Sequence, residues 1–361
     1  MRNQPIYLDY AATTPVHPDV LSAMLPYFTE VFGNAGSSSH LYGWRAAEAV
    51  EQSRNTVASY FQVKPAEVVF TSGATESINL GIRGYLQGKL KGHLITSALE
   101  HKAVLEVFHA LENEGWDVTY IKEVYELASV FRPDTALVSL MLVNNELGSI
   151  LPYQDVLKLC ESRDVCFHSD ATQALGKMEL ELNHLPHLIS FSGHKIYGPK
   201  GIGGLITRKP IQGISFGGGQ ERGLRPGTLP VPLIVGLAKA MELIPEFLSK
   251  SAFYKASIEK LKTIIPADSL NTPTNSVPSI LNFTLRGADW ERMFQLLNAF
   301  AFSNGSACNA KTELPSHVLK AIGLSDEDAL ASARLSLGYF TTSEEVDVIC
   351  EVLSQKLPQL L

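Results

Sequence analysis

Lys195 lies between a histidine and a glycine-rich run, in Ser190-Phe-Ser-Gly-His-Lys-Ile-Tyr-Gly-Pro-Lys-Gly-Ile-Gly-Gly204. Most lysines are solvated surface charges. This one has small and apolar neighbours and two flanking turns, which would desolvate it, lower its pKa and leave an amine able to form a Schiff base. The glycines let backbone approach a bulky ligand, and the absence of a following Ser or Thr excludes a nucleotide-binding P-loop. Upstream, His168-Ser-Asp-Ala-Thr-Gln173 puts a carboxylate at the end of an apolar run. By itself Asp170 reads equally as a satisfied structural group or a site residue. Beside a Schiff-base lysine it fits a third role: pyridoxal phosphate needs an acid on its pyridine nitrogen. Gln173 could then bond the ring's phenolic oxygen. Thr71-Ser-Gly-Ala-Thr-Glu76 reads as strand, small-residue turn and helix start, either an ordinary N-cap, the commoner case, or a phosphate cradle. His101, in Ala98-Leu-Glu-His-Lys102, is either structural or a ring that stacks on a planar cofactor and shuttles protons.

The sequence holds four cysteines. Cys160 shares a helical face with Val156 and Leu157, Cys166 sits inside an apolar strand, and Cys350 lies among Val346, Ile349 and Leu353; all three read as small core residues. Cys308 differs. Its context, Ser303-Asn-Gly-Ser-Ala-Cys-Asn-Ala-Lys-Thr312, is polar and contains glycine, which favours an exposed, reactive thiol, and Lys311 favours the thiolate. With 361 residues, four cysteines are too few for a disulfide scaffold. Thirty Lys and Arg against 37 Asp and Glu give a net charge of −7, which argues against direct nucleic-acid or membrane partners. The 45% hydrophobic and 19% charged content is that of a globular protein. The N-terminus lacks an apolar signal core, and the runs Leu229–Ala238 and Met293–Ala310 are too short or too polar to span a bilayer, so a cytoplasmic location is expected. His184-Leu-Pro-His187 is a poor metal pair because of its proline, and no metal is expected.

The elements that must position these groups alternate. Strands are expected over Val68–Thr71, His93–Ser97, Val118–Ile121, Ala136–Val143, Val165–Asp170, Leu188–Gly193 and Gly203–Arg208, with helices over Lys102–Gly115 and Tyr153–Arg163. The fold class is α/β: a large domain with a mixed, mostly parallel sheet flanked by helices. Ligands of such sheets sit beyond the carboxyl ends of the strands, where the unusual residues fall. After Thr228 the pattern changes to helices over Leu233–Leu248 and Ala252–Ile265, a strand Ile280–Leu285, a helix Asp289–Phe300, a polar loop, a strand Ala333–Tyr339 and a helix from Ser343. The expected division is a large domain of residues 15–250 and a smaller α+β domain, built mainly from the C-terminal part, of residues 1–14 and 251–361 with the Cys308 loop.

Taken together, these segments resemble the fold-type I pyridoxal-phosphate enzymes, and most closely the cysteine desulfurases of the class V aminotransferase group. The matching motifs run in order along nearly the whole chain: Tyr7-Leu-Asp-Tyr-Ala-Ala-Thr-Thr14, Gly33-Asn34, Ser39-His40, Thr71–Glu76, Glu100-His101-Lys-Ala103, Val143-Asn-Asn-Glu146, Asp170-Ala-Thr-Gln173, Ser192-Gly-His-Lys195, Gly217-Gly-Gly-Gln-Glu-Arg222 with Gly227-Thr228, Ser306-Ala-Cys308 and Arg334-Leu-Ser-Leu-Gly338. The resemblance implies pyridoxal 5'-phosphate bound to Lys195, paired with Asp170 and stacked on His101. It implies that Ala74, Thr75, Ser192 and His194 hold the phosphate, with Thr228 reaching it from the partner of a homodimer with a shared active site. Asn145 and Gln173 would contact the ring's substituents, and Asn34 and Arg334 would grip the substrate carboxylate. The implied reaction converts L-cysteine to L-alanine, with Cys308 taking the sulfur as a persulfide and His101 moving protons near the thiol.

Two departures from the longer housekeeping members bear on the partner. The segment Lys122–Asp134 is shorter, and the sequence stops at Leu361, without the C-terminal extension that docks an iron–sulfur scaffold protein. The expected acceptor is therefore a protein of unknown identity, in iron–sulfur assembly, tRNA thiolation, DNA sulfur modification or a nitrogenase-type pathway. The rival readings are a selenocysteine lyase and a partner-dependent or non-catalytic sulfur-transfer subunit.

Overall fold

The structure is a computed structural model, and it describes residues 4–303 and 314–360. The chain divides into two units: residues 14–142 with 151–245, and residues 4–13 with 143–150, 246–303 and 314–360.

The first unit is built on a seven-stranded sheet. Its strands are β1 (Val68–Thr71), β2 (His93–Ser97), β3 (Asp117–Ile121), β4 (Thr135–Ser139), β5 (Cys166–Asp170), β6 (Leu188–Ser192) and β7 (Gly203–Thr207). Their spatial order is β1-β7-β6-β5-β4-β2-β3. Neighbours pair in parallel except that β7 runs antiparallel to both β1 and β6. Every strand but β7 therefore points the same way. Residues of β5 and β6 are buried throughout, as in sheets covered on both faces. Two polar side chains inside this core are satisfied across strands: His168 Nδ1 meets Ser139 Oγ at 2.8 Å, and its Nε2 meets Ser190 Oγ at 2.9 Å. Burial lowers the His168 pKa to about 3, so the ring is neutral. The helices Ala74–Leu86 and Lys102–Asn113 pack together over the sheet through Ile78, Leu80, Val104 and Phe108.

The strand expected to reach Val143 stops at Ser139. Beyond it, with a bend at Leu142, the Leu140 and Leu142 amides donate to the carbonyls of His168 and Asp170 at 3.2 and 3.0 Å. The helix expected over Leu233–Leu248 is two helices, Val231–Glu242 and Ile244–Ser249. Pro245 has no amide to continue the ladder, and its ring clashes with the preceding turn.

In the second unit, Ile280–Thr284 pairs antiparallel with Ser332–Ser336, and Ile6–Tyr7 pairs in parallel with Phe300–Ala301. The helix expected over Asp289–Phe300 ends at Leu296. Asp289 caps it by accepting the Glu291 and Arg292 amides at 2.8 and 3.2 Å. Phe300 is extended because its backbone is claimed by the N-terminal strand: the Ile6 and Leu8 amides donate to the carbonyls of Ala299 and Ala301 at 2.9 and 2.8 Å. The helices Ser251–Lys262 and Ser343–Lys356 pack around Ile258, Leu261, Phe283, Leu335 and Ile349. Among the described residues no helix is long and apolar enough to cross a membrane.

Candidate active site

The sequence-derived cofactor residues of the first unit gather at the carboxyl-end edge of its sheet. Asp170 ends β5, opposite Ser190 of the neighbouring β6. Two residues after Ser190, Ser192 ends β6 opposite Gly203, and Gly203 is also opposite Thr71, the end of β1. The turn Gly193–Lys195 follows β6 directly.

That turn is fixed from several sides. The Gly193 amide donates to the Ile202 carbonyl at 3.0 Å, and the Ile196 and Gly198 amides both donate to the Gly193 carbonyl. Thr14, 180 residues upstream, donates its hydroxyl to the His194 carbonyl at 3.0 Å. Thr14 Oγ1 also accepts the Tyr197 amide at 2.9 Å. Tyr197 has a positive φ of 62°, a left-handed conformation that this hydroxyl helps hold. His194 is half-buried; burial and the neighbouring Lys195, Lys200 and Lys177 ammonium groups lower its pKa to about 4. It is thus a neutral imidazole, able to offer one N–H to an anion.

Asp170 is 6% exposed. Its Oδ1 accepts the Thr172 amide at 2.8 Å. Gln173 is buried, and its Oε1 accepts from Lys177 Nζ at 2.6 Å, so the amide nitrogen is the end that can donate to a ring oxygen. His101 caps the helix Lys102–Asn113, its Nδ1 accepting the Ala103 amide at 3.1 Å. In the neutral ring the proton then belongs to Nε2. Glu100 is fully buried, and its Oε1 accepts the Met141 amide at 2.5 Å. Burial foremost, with the nearby Asp170 charge adding, pushes its pKa well up.

At β1 the helix Ala74–Leu86 has Gly73 as its N-cap, at φ 154°. This is glycine's territory. A Cβ on Gly203 would lie 2.7 Å from the Gly73 Cα, so strand β7 and the turn are in backbone contact and only glycine fits. Thr75, in this first turn, is exposed. The donor set suits pyridoxal phosphate: a glycine-lined helix start and a neutral imidazole for a phosphate, a buried carboxylate for a ring nitrogen, and a lysine on a fixed turn.

The loop bearing Thr228 belongs to the same unit and is strained. Glu221 and Arg222 both have positive φ, 49° and 58°, a cost of order 1–3 kcal/mol each for residues other than glycine. The strain is offset by a buried ion pair. Glu221 Oε1 accepts from Arg54 Nη2 at 2.7 Å, and its Oε2 accepts from Arg54 Nη1 and the Phe70 amide, both at 2.8 Å. Thr228 and Asn34 are exposed; Asn34 Oδ1 accepts the Gly36 amide at 2.9 Å.

The second unit holds Arg334 and Asn145. Arg334 is 1% exposed. Its Nη2 donates to Asp9 Oδ1 at 2.6 Å, and its Nη1 donates to the Asn145 carbonyl at 2.8 Å. One edge of the guanidinium is therefore committed to a protein carboxylate 325 residues away. Sequence reasoning gave Asp9 and Thr14 no role of their own. Both lie in the Tyr7–Thr14 motif, but their partners are too distant in the chain for spacing to reveal. Cys308 lies outside the described residues. The other three cysteines are buried, and burial first of all raises the Cys160 and Cys166 thiols to about 12, so neither is a nucleophile at neutral pH. His187 of the histidine pair accepts the Phe167 amide at 3.0 Å, a structural use.

The chain is similar to known proteins along nearly its whole length. The family model for class-V aminotransferases matches residues 6–349. A cysteine desulfurase IscS of Pectobacterium carotovorum subsp. carotovorum (strain PC1) is 44% identical, the alignment covering 99% of this chain and 93% of the relative. A solved NifS-like protein superposes with a TM-score of 0.90 at 35% identity, covering 99% of this chain and 100% of the other. The structure of SspA in complex with cysteine superposes with a TM-score of 0.82 at 38% identity, covering 93% and 100%. The chain belongs to the class-V aminotransferases and, within them, to the cysteine desulfurases.

Proposed function

We propose that the chain takes sulfur from free L-cysteine, releases L-alanine and carries the sulfur as a persulfide on Cys308 for transfer to an acceptor protein. The observation that carries this reading is that Asp170 and the Lys195 turn end adjacent strands, with the thiols of Cys160, Cys166 and Cys350 buried. Pyridoxal phosphate, when bound, supplies an electron sink for negative charge at the substrate's α-carbon. Asp170 holds the ring nitrogen and keeps it protonated. Ala74, Thr75, Ser192 and His194 hold the phosphate, and Gln173 and Asn145 contact the ring's substituents. Lys195 Nζ takes the α-proton. His101, its Nδ1 occupied by the Ala103 amide, moves protons through Nε2. Arg334 and Asn34 orient the substrate carboxylate, a task suited to a planar guanidinium.

The Cys308 thiolate attacks the substrate sulfur. A sulfur–sulfur bond forms and the substrate's carbon–sulfur bond breaks. The carbon fragment keeps the bonding electrons and, after protonation, leaves as alanine. Cysteine and the Cys308 thiol thus give alanine and the Cys308 persulfide, with no external oxidant. In this reading the enzyme is a homodimer in which Thr228 reaches the phosphate of the partner subunit. Incubation with L-cysteine and with selenocysteine, with alanine, sulfide and selenide measured, tests it. We expect alanine from L-cysteine and one added sulfur on Cys308. Alanine from selenocysteine alone would transfer the assignment to a lyase, and none from either substrate would contradict enzymatic activity.

A further inference from the structure

We propose that Glu76, Arg225 and Glu221 are positioning residues that clamp the Thr228-bearing loop to the turn that starts the phosphate-binding helix. The proposal rests on the reading that Thr75 serves the phosphate of its own subunit and Thr228 that of the partner subunit, so the clamp sets the spacing between the two sites' phosphate contacts.

The loop touches the turn on both of its sides. Before the turn, Glu221 accepts the Phe70 amide at 2.8 Å while Arg54 grips both its oxygens. Arg222 Nη2 also donates to the Val68 carbonyl at 2.8 Å. After the turn, Arg225 Nε donates to Glu76 Oε1 at 3.0 Å. Glu76 Oε2 in turn accepts the Ser72 amide at 2.5 Å. One carboxylate thus ties the residue next to Thr75, the turn itself and the loop three residues before Thr228. The loop is closed on itself by the Gly227 amide, which donates to Gln220 Oε1 at 2.9 Å. Burial disfavours the charge on Glu76, but Arg225 and the Ser72 amide outweigh it and hold the carboxyl below its ordinary range.

There is also a charge reason for the pair. Glu76 alone would set an anion beside a phosphate site, and Arg225 neutralises it. Two successive residues in left-handed conformation are an expensive way to build a loop, and the side chains of the strained stretch Glu221–Arg222 themselves make the first tether. The Glu76–Arg225 pair borders a cavity of about 420 Å³ with Ser72, Thr75 and Asn79. It is partly exposed, at 29% and 21%, so its removal leaves the core intact.

The experiment compares pyridoxal 5'-phosphate with pyridoxal, titrated into the full chain and its variants and read by cofactor absorbance. For Arg225→Gln we expect the phosphate form to bind about tenfold more weakly, the scale of one lost charge-assisted contact, with pyridoxal binding unchanged and Arg225→Lys intermediate. Equal losses for both ligands, or none, would overturn the clamp. Glu76→Ala separates position from charge. A clamp requires weaker phosphate binding, whereas a mere field effect requires tighter binding because an anion has been removed; the tighter result overturns the proposal. Thr228→Ala reports on the underlying reading. Its own phosphate-selective loss supports that reading, and its absence overturns the reading whatever Arg225 does.

Discussion

The turn Gly193–Lys195 is held by backbone amides and one threonine hydroxyl, whereas the loop Gln220–Thr228 is held by carboxylates and guanidinium groups. Both lie in one unit and each has a left-handed residue other than glycine, Tyr197 just after the turn and Glu221 with Arg222 within the loop. Neutral hydrogen bonds fix a nucleophile without adding charge that would shift its pKa. Ion pairs fix a loop more strongly where geometry is bidentate and buried, but each partner then depends on the other. The lysine turn should therefore tolerate salt and single substitutions better than the loop.

The largest effect belongs to the lysine itself. Lys195→Ala should lose the visible absorption of covalently bound cofactor altogether, and an unchanged spectrum would move the anchor to another lysine. Next comes the buried pair. Glu221→Gln leaves the buried Arg54 guanidinium with only the exposed Glu51 carboxylate as counter-charge and should cost about 3 kcal/mol in denaturant unfolding. Adding Arg54→Met should restore much of that, because Gln can still accept the Phe70 amide. If the double variant is as unstable as the single, the loop is not held by this pair. Thr14→Val removes the hydroxyl that serves His194 and Tyr197, and about 1–3 kcal/mol should go with it. That loss should be the same at low and high salt, unlike any change seen at Arg225.

A further effect is a pH slope. His194 and His168 have pKa values lowered to about 4 and about 3 from an ordinary 6.5, chiefly by burial. Between those values and 6.5 the unfolded chain binds protons that the folded chain does not. The stability due to their neutrality is complete above pH 6.5 and is lost as pH falls toward 4 and then 3. Urea midpoints across this range should fall with acid, and His194→Asn should flatten the upper part of the slope.

The strands were largely legible because buried parallel strands read as apolar runs, and the small polar residues that follow Val68–Phe70 and Leu188–Phe191 mark where the sheet ends. What spacing could not show were contacts made at long range. Phe300 looks like the last turn of a helix until Ile6 and Leu8 claim its neighbours' carbonyls. The Asp9–Arg334 pair spans 325 residues, and the sequence offers no local sign of it. Nor does anything in Gly219-Gln-Glu-Arg-Gly223 announce a left-handed glutamate, since only its distant partners Arg54 and Phe70 make that conformation affordable.

Mass spectrometry of the protein after brief exposure to L-cysteine tests the central claim most directly. We expect the peptide carrying Cys308 to gain one sulfur atom, with one alanine released for each sulfur gained, and Cys308→Ala to keep its bound cofactor yet form no persulfide. Sulfur on Cys160, Cys166 or Cys350 instead, or undiminished sulfide release from the Cys308→Ala protein, would contradict it.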